Sequence, residues 1–243
     1  MTPRCATRGG HFLFPFAYAL LFVSSFASAE TLAKSGTFGG LKVDYKVVLP
    51  TGFDPGRVYP VLMVFPGGTQ SMRGVTGELE RWTREAGRRG YILVSPAAPA
   101  DQLFFESSDK IFPDFLEMIL RNYKVHGGRI HVAGASNGGI SAFHVASLYP
   151  KYFWSVSVYP GYLDDTTDPM VEALKPLCIY MHVGESDGDW LKAMKQQFDM
   201  FRRRGYPAVI SVEENQGHSV DFGPENTAHF FDDLDAAAKG CSE

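Results

Sequence analysis

Cysteine is nearly absent. Cys5, Cys178 and Cys241 are the three in 243 residues, too few and too scattered for a disulfide scaffold or a structural zinc site. No H-E-x-x-H and no C-x-x-C occurs, which removes the common signatures of zinc proteases, zinc fingers and thioredoxin-like redox centres. Charge is also sparse, with 21% charged residues and a formal net charge of -4. The one basic run, Arg202-Arg203-Arg204, suits the C-terminal end of a solvated helix, where cations are favoured. With no other cluster of lysine or arginine, neither nucleic acid nor an anionic membrane surface is expected as a partner. Past residue 30 no apolar run approaches the roughly 20 residues needed to span a bilayer.

The start of the chain differs from the rest. Arg4 and Arg8 give a basic beginning, Phe12 to Phe26 is almost wholly apolar or small, and Ala27-Ser28-Ala29 precedes Glu30. This is the layout of a secretory signal peptide with an A-x-A cleavage site, and the apolar run is short for the alternative, a membrane anchor. Residues 1–29 are therefore expected to be a leader cleaved near Ala29, with residues 30–243 forming one domain that is secreted, periplasmic or extracellular. Without the leader, 21 basic residues face 27 acidic ones, a net charge of -6. Cys5 leaves with the leader. Cys178 and Cys241 then remain either as a bridge in an oxidising compartment or as separate thiols, Cys178 within an apolar run.

Hydrophobic patterning gives the fold class. Phe38, Leu41, Val43, Tyr45, Val47 and Leu49 alternate like strands at a sheet edge. Short, mostly apolar runs follow at 61–65, 91–94, 129–133, 153–158, 178–183 and 209–212, the pattern of buried strands in a mainly parallel sheet. Segments of helical period lie between most of them, at 78–89, 111–123, 138–148, 190–204 and 228–238. Alternation of this kind predicts a three-layer alpha/beta sandwich with helices on both faces. In such sheets ligands bind beyond the carboxyl ends of the strands.

Four of those strand ends carry chemistry. Gly134-Ala135-Ser136-Asn137-Gly138 is a G-x-S-x-G turn between a strand and a helix, which places Ser136 on an exposed apex as a candidate nucleophile; the plainer reading is a helix-capping serine. After the 178–183 run come Glu185, Asp187 and Asp189, candidates for the acid that holds a catalytic histidine in the right tautomer, or else turn and cap residues. After the 209–212 run comes His218, in a polar loop. The order Ser136, Asp187, His218 is the one expected of a G-x-S-x-G hydrolase. Pro66-Gly67-Gly68-Thr69 follows the first buried strand, so the N–H of Gly68, or of Thr69, would be one arm of an oxyanion hole and that of Asn137 the other.

These residues resemble the alpha/beta-hydrolase family. More narrowly, the run from Gly128 through Ser136-Asn137-Gly138-Gly139 to Tyr149-Pro150-Lys151-Tyr152-Phe153 is similar to that of secreted esterases grouped with polyhydroxybutyrate depolymerases, feruloyl esterases and acetylxylan esterases. The resemblance sets the acid in H-G-x-x-D, which falls on His182 to Asp187 with one extra residue before the glycine and favours Asp187 over Asp189. It also implies His-Gly at the oxyanion loop, where this chain has Pro66-Gly67-Gly68.

The expected function is thus a secreted serine carboxylic-ester hydrolase that forms an acyl-enzyme and requires no metal or organic cofactor. Between Tyr159 and Leu177 there is too little chain for a large lid domain, so the site should be open enough for a small-molecule ester or one carried on a polymer. Phe104, Phe105, Tyr159, Tyr162 and Trp190 are aromatics near the expected site. Tyr159 and Trp190 are taken as candidate substrate contacts, against the alternative that such rings belong to the core. Two rivals stand beside this reading: a small serine peptidase of the same fold, and a non-catalytic binding module.

Overall fold

The computed structural model describes residues 1–2 and 29–241, so the expected leader lies outside the described residues except at its ends. Among the described residues eight strands form one sheet. They are β1 (Glu30–Phe38), β2 (Leu41–Leu49), β3 (Val61–Phe65), β4 (Ile92–Pro96), β5 (Ile130–Gly134), β6 (Phe153–Val158), β7 (Cys178–Gly184) and β8 (Ala208–Glu213), and their order across the sheet is 1-2-4-3-5-6-7-8. β1, β2 and β4 pair antiparallel, and all further pairs are parallel.

Six α-helices among the described residues cover the two faces: α1 (Met72–Arg89), α2 (Phe112–Asn122), α3 (Asn137–Leu148), α4 (Asp168–Ala173), α5 (Gly188–Arg203) and α6 (Gly223–Ala237). The two-residue period of β3 shows how the layers are specified. Val61, Met63 and Phe65 turn into the core shared with α2, α3 and α5, while Leu62 and Val64 turn into the core shared with α1 and α6. Both sets are fully buried, hence the continuous apolar run in the sequence.

Local signals set the helix ends. Ser71 caps α1 by accepting from the Gly74 N–H, and Gly90, at φ +76°, closes it in the left-handed conformation that glycine adopts freely. Val75, Leu79, Trp82 and Ala86 form its buried stripe. α3 has no polar stripe; it lies over β3, β5 and β6 with nine of its twelve residues buried.

Register gathers the functional loops. Phe65 pairs with Gly134, Gly134 with Val158, and Gly184 with Glu213, so the loops that follow these strand ends open along one edge of the sheet. Far from that edge, Cys178 and Cys241 form a disulfide with Cα atoms 5.3 Å apart, which resolves the two readings of these cysteines in favour of the bridge.

Candidate active site

The turn between β5 and α3 is tight because backbone packs directly on backbone. A Cβ on Gly134 would lie 2.1 Å from the Gly138 carbonyl oxygen, and one on Gly138 would lie 2.1 Å from that of Phe65. Neither position admits a side chain without moving main chain. The residue between them, Ser136, is held at φ +56° and ψ -122°, a region sparsely populated by residues other than glycine. Its N–H donates to the Pro160 carbonyl at 2.7 Å. Although it occupies the N-cap position of α3, its side chain makes no capping hydrogen bond.

The hydroxyl points instead at a histidine. Ser136 Oγ lies 2.9 Å from His218 Nε2, and His218 Nδ1 lies 3.1 and 3.0 Å from the two carboxylate oxygens of Asp187. Asp187 is likewise an N-cap, that of α5, whose side chain does no capping. Its side chain is 8% exposed against 44% for His218, so the acid is shielded while the imidazole faces solvent. A shielded carboxylate on Nδ1 leaves Nε2 free to accept the serine proton.

The other two acids lie elsewhere. Glu185 is exposed and accepts from the Asn215 N–H at 3.2 Å; Asp189 is exposed in the first turn of α5. Gly184 explains how the histidine loop comes so near, since a Cβ there would lie 2.2 Å from the Gly217 carbonyl oxygen. The Ser186 N–H donates to the Gln216 carbonyl at 2.9 Å, and the Gln216 side chain bonds both the N–H and the carbonyl of Asp221. Gln216 thus clamps the loop carrying His218. Sequence reasoning missed it, because a glutamine in a polar loop carries no signal until its partners are known.

Of the oxyanion candidates, Gly68 sits at φ +60°, and its carbonyl accepts from Asn137 Nδ2 at 2.9 Å. The two segments expected to supply the donors are therefore joined side by side.

The aromatic candidates divide. Trp190 has its ring centroid 4.9 Å from that of His218, and Tyr162 packs on Trp190 at 4.9 Å, so these two flank the site. Tyr159 does not line it, which corrects the expectation for that residue. It is 1% exposed in the core between the sheet and α1, where its hydroxyl accepts from Trp82 Nε1 at 3.1 Å and donates to Glu78 at 3.2 Å. Burial raises the Glu78 carboxyl pKa, while the Arg81 charge and the Tyr159 hydrogen bond oppose the rise. Phe104 is also core, packed on Phe65 and Phe112.

Two histidines away from the site, His131 and His182, have structural roles. Burial pushes His131 down to about 3, and its ring bonds Ser155; His182 pairs with Glu213. A groove of about 560 Å³ lies between α1 and the start of α6, lined by Arg81, Arg84, Val220 and Phe222 among others. It begins one residue beyond His218, and neither Ser136 nor Asp187 contributes to it. The hydrogen-bonded Ser136, His218 and Asp187 lie outside this groove. Among the described residues no group of His, Cys, Asp and Glu could hold a metal ion, and no helix is long and apolar enough to cross a membrane.

The model of the Esterase family matches residues 37–228, which spans β2 to α6 and includes Ser136, Asp187 and His218. The chain belongs to the Esterase family. Dipeptidyl-peptidase 5 of Porphyromonas gingivalis is 29% identical to this Esterase-family chain over 128 residues, 47% of this chain and 19% of that protein. The chain thus spans about a fifth of the length of that curated relative. A solved ferulic acid esterase superposes with a TM-score of 0.66 at 18% identity, covering 88% of this chain and 99% of that one. S-formylglutathione hydrolase from Agrobacterium tumefaciens superposes at 0.64 and 15% identity, covering 90% and 98%. At these identities the structural likeness is one of fold, and that fold is the alpha/beta-hydrolase sandwich.

Proposed function

We propose that this Esterase-family chain is an exported serine hydrolase of carboxylic esters. Ser136 Oγ attacks the ester carbonyl carbon while His218 Nε2 takes the serine proton, and Asp187 holds the imidazole and balances its positive charge. The N–H groups of Asn137 and of Gly68 or Thr69 stabilise the tetrahedral oxyanion. Its collapse breaks the bond to the alcohol, which leaves with the proton from His218. Water, deprotonated by the same histidine, then hydrolyses the acyl-enzyme to release the acid and restore the serine.

The observation that carries this reading is the 2.9 Å approach of Ser136 Oγ to His218 Nε2 by a strained residue that does not cap its helix. A serine kept only for the turn would bond its own helix, and a degenerate binding module would have no use for the shielded Asp187. Esters on bulky or polymeric carriers suit the site, because His218 is open to solvent and the segment from Tyr159 to Leu177 holds only the six-residue α4. Export is consistent with the Cys178–Cys241 bridge, since disulfides persist in oxidising compartments. In this reading residues 1–29 are removed and residues 30–243 act as one domain.

The test is turnover of p-nitrophenyl acetate by the purified chain, with Ser136→Ala as control. Wild-type turnover and fluorophosphonate labelling at Ser136, both lost in a Ser136→Ala variant of unchanged thermal stability, is the expected result. A Ser136→Ala variant that keeps the wild-type rate, or a folded wild type that neither turns over nor labels, overturns it. The match to a dipeptidyl-peptidase favours one second reading, amide cleavage by the same residues. Hydrolysis of dipeptidyl p-nitroanilides faster than of any ester would put that reading first.

A further inference from the structure

Gln70 lies directly after the expected oxyanion loop, yet it has no exposure to solvent. Each of its polar groups is engaged, and with different segments. Its N–H donates to the Gly67 carbonyl at 3.2 Å, closing the turn that contains Gly68 and Thr69, and its carbonyl accepts from the Ala98 N–H at 2.9 Å. Its side-chain Oε1 accepts from the Phe104 N–H at 3.1 Å, and Nε2 donates to Ser141 Oγ at 2.8 Å. Ser141 is itself fully buried, one turn into α3 from Asn137. The backbone of Gln70 is in the left-handed region, at φ +53°. A non-glycine residue keeps such a conformation where its surroundings over-determine it, and such positions cluster at functional sites.

We propose that Gln70 is a positioning residue that sets the separation between the two arms of the oxyanion hole. This rests on the serine-hydrolase reading above. One arm is an N–H of the turn that the Gln70 backbone closes. The other is the Asn137 N–H, at the start of the helix that the Gln70 side chain grips through Ser141. On the solvent side, Asn137 Nδ2 ties the same two segments through the Gly68 carbonyl at 2.9 Å, so the loop is fixed to the helix at two depths. Between these ties the main chains touch, a Cβ on Gly67 falling 3.0 Å from the Ala135 carbonyl oxygen. An oxyanion hole works because its donors are already aimed where negative charge will develop. A loop that slides by a few tenths of an ångström would bind the neutral ester nearly as well and stabilise the transition state less. The loss falls on kcat and spares KM.

The experiment compares wild type, Gln70→Leu and Ser141→Ala on p-nitrophenyl acetate, with thermal melts to establish folding. It also measures inhibition by an arylboronic acid, whose serine adduct places a negatively charged tetrahedral centre in the hole, and by acetate as a planar control. For Gln70→Leu, kcat should fall roughly tenfold or more with KM within about twofold, short of the 10²–10³-fold cost of deleting an oxyanion donor outright. Boronate affinity should fall by the same factor and acetate inhibition should stay unchanged. Ser141→Ala should move kcat and boronate affinity together by a smaller factor, and it carries the test alone if Gln70→Leu does not fold. Folded variants with wild-type kcat, or with reduced kcat and undiminished boronate affinity, overturn the proposal while wild-type turnover leaves the hydrolase reading standing. A wild type without esterase or amidase turnover overturns both.

Discussion

Trp190 stands edge-on to His218, ring centroids 4.9 Å apart at an interplanar angle of 60°. Trp190 is the third residue of α5, whose N-cap is Asp187, so one helix start supplies both the acid that holds the imidazole and the ring that flanks it. Aromatic pairs of this geometry contribute about 0.5–1.5 kcal/mol beyond the area they bury. Trp190→Ala should therefore lower kcat/KM for p-nitrophenyl acetate by roughly three- to tenfold, and by more for a feruloyl ester if the Trp190–Tyr162 pair holds an aromatic acyl group. Steady-state kinetics on the two esters checks this; equal rates for wild type and variant on both would remove Trp190 from the site.

The bidentate approach of Asp187 to His218 Nδ1 gives a sharper expectation. An amide in its place would present an N–H donor as readily as an oxygen and so favour the tautomer with the proton on Nε2, the atom that must accept from Ser136. Asp187→Asn should reduce kcat by about 10⁴, the cost seen for the corresponding change in the serine-protease triad. Asp189→Asn, exposed and two residues away, should leave kcat within about twofold, as for most surface substitutions remote from such features. A larger loss in Asp189→Asn than in Asp187→Asn would reassign the acid.

The parts of this arrangement legible in the sequence are those whose physics is local. The bounds of β3 follow from its unbroken apolar run, those of β6 from a mostly apolar one broken by Ser155 and Ser157, and the G-x-S-x-G turn from its glycines. β1 was visible only at Phe38 because most of its side chains face solvent; it is a strand by virtue of its ladder with β2, which no periodicity in 30–37 announces. α1 begins at Met72, six residues before the apolar spacing becomes clear, because Gly74 and Gly77 dilute the pattern and the Ser71 cap is the start signal. Tyr159 misled for a different reason. An aromatic with a hydroxyl, next to a strand end, suits a pocket as well as a core, and only the positions of Trp82 and Glu78 decide between them. Gln70 is the inverse case, a polar loop residue whose partners Ala98, Phe104 and Ser141 all lie far from it in sequence.

A histidine outside the site gives a pH dependence. On α3, His144 Nδ1 lies 3.2 Å from Asp164 and Nε2 lies 3.5 Å from Asp109. Burial alone would lower its pKa, but the hydrogen bonds and charges of Asp164 and Asp109 outweigh that and raise it above 6.5. A raised folded-state pKa means that the native state binds the proton more tightly than the unfolded chain. The stabilisation is complete below pH 6.5 and is lost as the pH rises through the folded value. Thermal melts at intervals from pH 5.5 upward should show this component in wild type, and its disappearance in His144→Gln. A pH profile of stability unchanged by the substitution would mean that the two aspartates do not hold a charged imidazole.

The Cys178–Cys241 bridge should matter for stability and not for turnover. It closes a sequence separation of 63 residues, and constraining a loop of that size in the unfolded chain stabilises by about 2–4 kcal/mol in typical cases. Cys178 begins β7 and Gly184 ends it; at about 3.3 Å per residue the bridge lies on the order of 20 Å from the strand end that carries Asp187. Cys178 also packs with Tyr180 and with Ala237 of α6, so cutting the bridge frees the C-terminal end of that helix, while the loop before its N-terminal end keeps the Gln216–Asp221 clamp. Cys241→Ser should lower the melting temperature by several degrees, roughly 2–4 °C for each kcal/mol in a domain of this size. Its kcat and KM at 25 °C should match those of wild type, and a reductant should lower the melting temperature of wild type but not of the variant. A Cys241→Ser enzyme that melts like wild type but turns over ester more slowly would mean that the bridge acts on the His218 loop through α6.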